Sequence, residues 1–307
     1  MPPPTLAEPY PLTALSTYPA LSYELLPPRT PAAGESLWRT IRALEATRPD
    51  YVSVTYGAGG SNHGTALELL ERLQAETMLR PLAHLTCIGN SRAQLAGTIQ
   101  TLINVGVRGI LALRGDLPAD GAGRGELRHA LDLVELIRHV EQRLSARLAA
   151  GKLAVGVAAY ASRHPESASS GQDLEVLLAK QAAGADFAIT QVFFRARDYA
   201  DLVVRAREAG VTIPLIPGIM PLTTLRRLDR LSELAGIPVD PAVRDRLTSA
   251  PDDAARRRIG VRLTVDLARA AFDAGAPGLH LYTFNEHGPA LDVLESLQLP
   301  RPSLKES

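Results

Sequence analysis

Among its 307 residues the chain has one cysteine, Cys87. A single thiol excludes an intrachain disulfide and an all-cysteine metal cage, and it fits a protein of the reducing cytoplasm. Its neighbours Leu85 and Ile88 mark it as a small core residue and not a reactive thiol. Excess charge is also missing. Thirty-three basic residues balance thirty-three acidic ones, so no electrostatic footprint for nucleic acid or an anionic membrane exists at chain level. No apolar run is long enough to span a bilayer. Met1 to Pro11 is rich in proline but lacks the basic start and apolar stretch of a signal peptide. No histidine pair has the spacing of a helical zinc site and no Gly-x-Ser-x-Gly elbow occurs, which disfavours metal-assisted hydrolysis and serine acyl transfer. No metal site is expected. What is present, 46% hydrophobic and 21% charged residues, is ordinary for a globular protein whose partners are small molecules.

Short β-rich runs alternate with longer helical patterns along the chain. Strands are expected near Leu21–Leu26, Tyr51–Tyr56, Leu82–Cys87, Gly109–Arg114, Ala154–Ala159, Phe187–Val192, Ile213–Ile216 and Leu279–Tyr282. Between them apolar residues recur at helical spacing, as in Ala66, Leu67, Leu70 and Leu73, or Leu131, Val134, Ile137 and Val140. Strand–helix alternation implies parallel pairing through crossovers, and eight such units are the count of a single (β/α)8 TIM barrel, an α/β fold. A doubly wound open sheet is the alternative. No linker or internal repeat divides the chain. Residues 15–299 therefore read as one barrel domain, with an irregular segment 1–14 before it and a tail 300–307 after it.

In such a barrel the active site lies at the carboxyl ends of the strands, so polar residues late in apolar strands are the candidates. Glu24 in LSYELLPPRT follows Ser22 at period two, in a strand that Pro27 and Pro28 terminate. Its ordinary explanation is an ion pair with a neighbour such as Arg29. Thr55 follows Ser53, and His84 shares a face with Thr86. Arg114 and Asp116 close ILALRGD, Tyr160 ends VGVAAY, and Gln191 lies in AITQVFF. Together they favour a polar pocket at one mouth. The glycine-rich stretch TYGAGGSNHGT, from Thr55 to Thr65, sits where a phosphate-cradling loop would, but it lacks both the spaced glycines of a dinucleotide site and the lysine of a P-loop. A tight strand-to-helix turn explains it equally well. Asp173 and Lys180, seven apart in SSGQDLEVLLAK, share a helical face that suits either a ribose and phosphate site or plain solvent exposure.

With these residues in place, the sequence resembles the methylenetetrahydrofolate reductase family. YELLPPRT, SVTYGAGGS, PLAHLTC, ILALRGDLP, AAYASRHPES, DFAITQVFF, IPLIPGIMP and LHLYTFN carry the resemblance in family order, from about Leu21 to Leu297. It implies a (β/α)8 barrel with FAD at the carboxyl face, without the extra regulatory domain of eukaryotic members. It also implies reduction of 5,10-methylenetetrahydrofolate to 5-methyltetrahydrofolate by NADH or NADPH in alternating half-reactions, with no nucleic-acid or membrane partner. A homo-oligomer is compatible with it. By resemblance Glu24 is the general acid and Asp116 the aspartate near flavin and pterin. Gln191, Leu225 and Tyr282 fall on substrate positions. Thr55, His84, Arg114, Gly115, Asp116, His129, Ala130, Ala158, Tyr160, His164, Asp173 and Lys180 fall on flavin positions. The chain departs from the family pattern at His129, where tyrosine is frequent, at Val176 for an asparagine, and at Leu225 for an aromatic. Glu286 stands where a basic residue is common, so contact with an acidic folate tail is expected to differ. The competing readings are a folate- or flavin-binding subunit fed by a partner protein, a flavin-independent variant of the same reductase, and a barrel lyase or hydrolase using Glu24.

Overall fold

The computed structural model describes residues 18–55, 63–116, 125–148 and 151–301. Nine parallel strand segments form its sheet: β1 (Ala20–Leu25), β2 (Tyr51–Val54), β3 (Pro81–Thr86), β4 (Gly109–Leu113), β5 (Ala154–Ala159), β6 (Phe187–Thr190), β7 (Leu215–Ile216), β8 (Gly218–Ile219) and β9 (Gly278–Tyr282). Their order is β7-β6-β5-β4-β3-β2-β1-β9-β8. The two ends of that order are consecutive pieces of chain separated only by Pro217, so the sheet closes on itself as a barrel. The strand expected at Ile213–Ile216 thus begins later, at Leu215, and a second short segment, Gly218–Ile219, follows it beyond the expected end. Proline supplies the reason, since Pro214 and Pro217 have no N–H to donate. Each still accepts: Pro214 O from Ala188 N–H at 2.8 Å and Pro217 O from His280 N–H at 3.0 Å.

Ten α-helices lie among the described residues: α1 (Pro31–Glu45), α2 (His63–Glu76), α3 (Arg92–Asn104), α4 (Ala130–Arg143), α5 (Ser170–Ala182), α6 (Ala196–Glu208), α7 (Leu225–Ala235), α8 (Pro241–Thr248), α9 (Asp253–Asp273) and α10 (His287–Leu297). Side-chain caps fix the starts that matter for the site. Ser169 accepts Gln172 N–H at the start of α5, and Thr224 accepts Arg227 N–H at the start of α7, each at 3.2 Å. The period-two pattern of the strands sorts into two cores. Leu21, Tyr23 and Leu25 face outward into the large core shared with the helices. Ala20, Tyr51, Leu82, Leu111, Ala154, Phe187, Ile189 and Ile216 form a separate cluster that fills the lower barrel interior. Cys87 is fully buried in the large core, where burial pushes its thiol up to about 11.

Of the glycine-rich stretch after β2, residues 56–62 lie outside the described residues, as do the expected segment 1–14 and residues 302–307 of the tail.

Candidate active site

Alternation along β1 sends Ser22 and Glu24 into the barrel, directly above the apolar plug. Across the ladder Glu24 pairs in register with Ser53 of β2 and Tyr282 of β9, while Ser22 pairs with Tyr51 and His280. Glu24 is half-buried, and burial raises its carboxyl from 4.5 to about 7. Among the described residues no cation pairs with it. Arg29 is exposed, so the ordinary ion-pair explanation fails, because the proline turn carries Arg29 out to solvent.

Below and beside Glu24 the lumen is lined by neutral imidazoles. His280 Nδ1 lies 2.8 Å from Ser22 Oγ, its ring stacks on Tyr51 at 6.2 Å and meets the edge of Tyr282 at 5.0 Å. Burial, followed by the nearby His84, holds His280 down to about 3. His84 is buried and lowered to about 4 by the same cause, and its Nε2 has no hydrogen-bond partner among the described residues. Thus, among the described residues, no positive charge beneath Glu24 favours its ionised form. His280 escaped the sequence reading although LHLY carries the same signal as SYEL, a polar residue two positions before another on the inner face.

The rim beside β6, β8 and β9 is apolar. Tyr282 Oη donates to Thr190 O at 3.1 Å, and Thr190 Oγ1 accepts Gly218 N–H at 2.9 Å. A Cβ on Gly218 would stand 2.2 Å from Thr190 O and 2.7 Å from the Tyr282 ring, so only glycine lets β8 approach. Tyr282, Leu225 and Phe284 pack on a cluster of Val192, Phe194, Met220, Leu222, Leu228 and Leu231. Gln191 lies just past the end of β6, and its N–H reaches Ala159 O at 2.8 Å. The structure therefore brings Leu225 and Tyr282 onto one apolar cluster, with Gln191 next in sequence to its member Val192.

Above β3 to β5 lies a second, polar group. Arg114 forms a two-pronged pair with Glu166 at 2.5 and 2.7 Å. Gly115 turns the chain with φ 88°, where a Cβ would stand 2.9 Å from Thr86. Tyr160 meets His164 edge-on at 4.5 Å. Burial raises its hydroxyl pKa against the opposing pull of Arg114, with Asp173, Glu166 and the exposed Asp116 adding to the rise. Asp173 accepts His164 N–H at 3.1 Å and the Ser167 hydroxyl. Lys180 is 8% exposed, so a plain solvated helix face is excluded; its Nζ donates to Ala158 O at 3.1 Å. Burial lowers its ammonium to about 8, with Asp173 opposing. His129 and Ala130 start α4, and the His129 carbonyl faces the Cys87 thiol at 3.6 Å, beside the Arg114 carbonyl at 3.5 Å. Thr55 stands apart from this group, bonded through its N–H to Leu25 O at 3.2 Å. Val176, between Asp173 and Lys180 in α5, is 44% exposed. Glu166 was missed in the sequence, because a carboxylate in a loop carries no local mark of its distant partner.

Among the described residues no group of three His, Cys, Asp or Glu side chains is arranged to hold a metal, and no helix is long and apolar enough to cross a membrane.

A family model described as methylenetetrahydrofolate reductase matches residues 13–298. The chain is 34% identical over 268 residues to the 5,10-methylenetetrahydrofolate reductase of Pectobacterium carotovorum subsp. carotovorum, covering 86% of this chain and 85% of that protein. It is 32% identical over 285 residues to the Escherichia coli (strain K12) protein of the same description, covering 92% of each. Among solved structures, an uncharacterized Clostridium thermocellum protein described as binding two copies of 5-methyl-5,6,7,8-tetrahydrofolic acid has the same fold. That similarity has a TM-score of 0.61 at 12% identity, over 91% of this chain and 94% of that one.

Proposed function

The chain belongs to the methylenetetrahydrofolate reductase family, and on that premise we propose that it reduces 5,10-methylenetetrahydrofolate to 5-methyltetrahydrofolate, with NADH or NADPH as electron source and FAD as carrier. One observation carries the reading: Glu24 is a barrel-mouth carboxyl with no cation beside it among the described residues, raised by burial to about 7, so it keeps a large share of its proton near neutral pH, as a general acid must. Opening the five-membered ring of the folate requires a proton on the departing nitrogen as its bond to the bridging carbon breaks. Glu24 supplies that proton. The bridging carbon is left as an iminium, which takes a hydride to become the methyl group.

The polar group above β3 to β5 fits a flavin nucleotide. Arg114 and Lys180 offer cations for its phosphates, Asp173 a carboxylate for its sugar, and the unpartnered buried Nε2 of His84 a hydrogen-bonding position. Gly115, His129, Ala130, Ala158, Tyr160 and His164 complete that surface, and Thr55, just past the end of β2, is a separate flavin contact in this reading. When bound, FAD would supply the hydride chemistry, taken from the nicotinamide in one half-reaction and delivered in the next. Gln191, Leu225 and Tyr282 orient the pterin against the same face, and Asp116 adds its charge at the edge of the site. The catalytic unit is the single barrel over residues 15–299.

The test is an anaerobic assay on protein reconstituted with FAD and freed of excess cofactor, given NADH and NADPH in parallel and then methylenetetrahydrofolate. Retained flavin absorbance, bleaching by one nicotinamide and recovery with formation of methyltetrahydrofolate are expected. No retained flavin would overturn the cofactor assignment, and no methyltetrahydrofolate from either donor would overturn the function.

A further inference from the structure

Beyond Tyr282 the chain makes a sharply built turn at the barrel rim. Phe284 and Asn285 both adopt left-handed backbone, with φ 50° and 61°, a conformation uncommon for residues other than glycine. The turn is stapled to the end of β1. Asn285 Oδ1 accepts Leu26 N–H and its amide donates to Leu26 O, both at 2.8 Å, while Thr283 Oγ1 donates to Glu24 O at 2.7 Å. Glu286 follows at once, so its backbone is fixed relative to Glu24. Its carboxylate meets Arg227 in the first turn of α7, with Oε1 2.5 Å from Nη2. The guanidinium side is 14% exposed and the carboxylate side 64%. Leu225 and Phe284, each two residues before a member of the pair, pack on the same apolar cluster. The apolar wall of the mouth therefore ends in an ion pair with its acid outermost.

A folate has a flat, largely apolar body that ends in carboxylates. A ligand lying along this wall carries its tail toward Arg227 and finds a carboxylate there already. We propose that Arg227 is the docking cation for the acidic tail, and that Glu286 is an internal competitor that makes the site selective against tail charge; this rests on the folate reading above. The tail must replace one carboxylate by another while repelled by the one displaced, so the exchange yields little affinity. Removing the competitor frees the cation.

KM is measured for monoglutamyl and triglutamyl methylenetetrahydrofolate and for the tail-less methylenetetrahydropteroate, in wild type, Glu286→Gln and Glu286→Gln/Arg227→Gln. Glu286 is exposed, so its replacement keeps the fold. Glu286→Gln is expected to lower KM for the tailed substrates about fivefold, in line with one exposed charge pair, with the change confined to them and abolished by adding Arg227→Gln. An equal change for the pteroate form, no change for any of them, or a gain that survives loss of Arg227 would each overturn the proposal. A wild type that turns over none of these substrates would instead bring down the folate reading, and this proposal with it.

Discussion

Two carboxylates enclosed at opposite ends of the barrel have opposite surroundings. Asp186 enters β6 at the amino end and is held by Arg138 at 2.5 Å, Lys152 at 2.7 Å and Val155 N–H at 2.8 Å. Arg138 in turn binds Glu141 and the carbonyls of Leu153 and Gly184. Glu24, at the carboxyl end of β1, has no such partner among the described residues, and its inward neighbours are neutral histidines. An acid with cations and backbone donors around it stabilises the fold. An acid enclosed without them weakens the fold, and in the function proposed above its proton is what it contributes.

The largest effect that would sharpen this contrast is at the amino end. Arg138→Ala should cost about 3–5 kcal/mol of stability, since it leaves Asp186 and Glu141 enclosed without their main cation. Urea unfolding measures it, and a wild-type midpoint would mean that the ions there are decorative.

Glu24→Gln should slow the folate half-reaction at least ~100-fold, about 2.7 kcal/mol of barrier, while the nicotinamide still reduces the flavin. Stopped-flow mixing separates the two steps, and equal losses in both would make Glu24 a structural acid like Asp186. Stability should change in the opposite sense. Glu24 holds its proton more tightly folded, at about 7, than unfolded, near 4.5, so its favourable contribution is complete below 4.5 and lost as pH rises through 7. Glutamine lacks that loss. The variant should therefore gain on wild type between pH 5 and pH 8, by up to about 3 kcal/mol in paired urea melts.

Lys180→Met should weaken FAD binding by about 10-fold or more, the scale of one hydrogen bond to a charged group. Equilibrium dialysis reads it, and unchanged affinity would assign Lys180 to the scaffold. The smallest expected effect is at the rim. Tyr282→Phe removes one hydrogen bond to Thr190 O and should cost about 0.5–1.5 kcal/mol in urea melts.

The barrel was legible because period-two apolar runs and helical stripes are local signals, and β5 begins and ends where those signals place it, at Ala154 and Ala159. Glu24, Tyr160 and Gln191 were legible for the same reason, as polar residues closing apolar strands. The break at Pro217 was not read, because a strand paired on both sides can bend through a residue that only accepts. Nor could the sequence reveal that Arg114 meets Glu166 or that Arg227 meets Glu286. Those pairs depend on how loops return over the mouth, and the turn at Phe284 and Asn285 that aims Glu286 has no glycine to announce it.

The Asn285 staple ties together residues 259 positions apart, and β1 has β9 as one of its two neighbours. During synthesis β1 emerges early and waits with one edge unpaired until almost the whole barrel has followed. Contacts of such long sequence separation form late, because the entropy of closing the intervening loop must be overcome first. The pocket around Glu24 is thus among the last parts of the molecule to exist. On the function proposed above, a partly folded chain would have a barrel wall before it has an acid site, and folate chemistry would wait until the ring is shut.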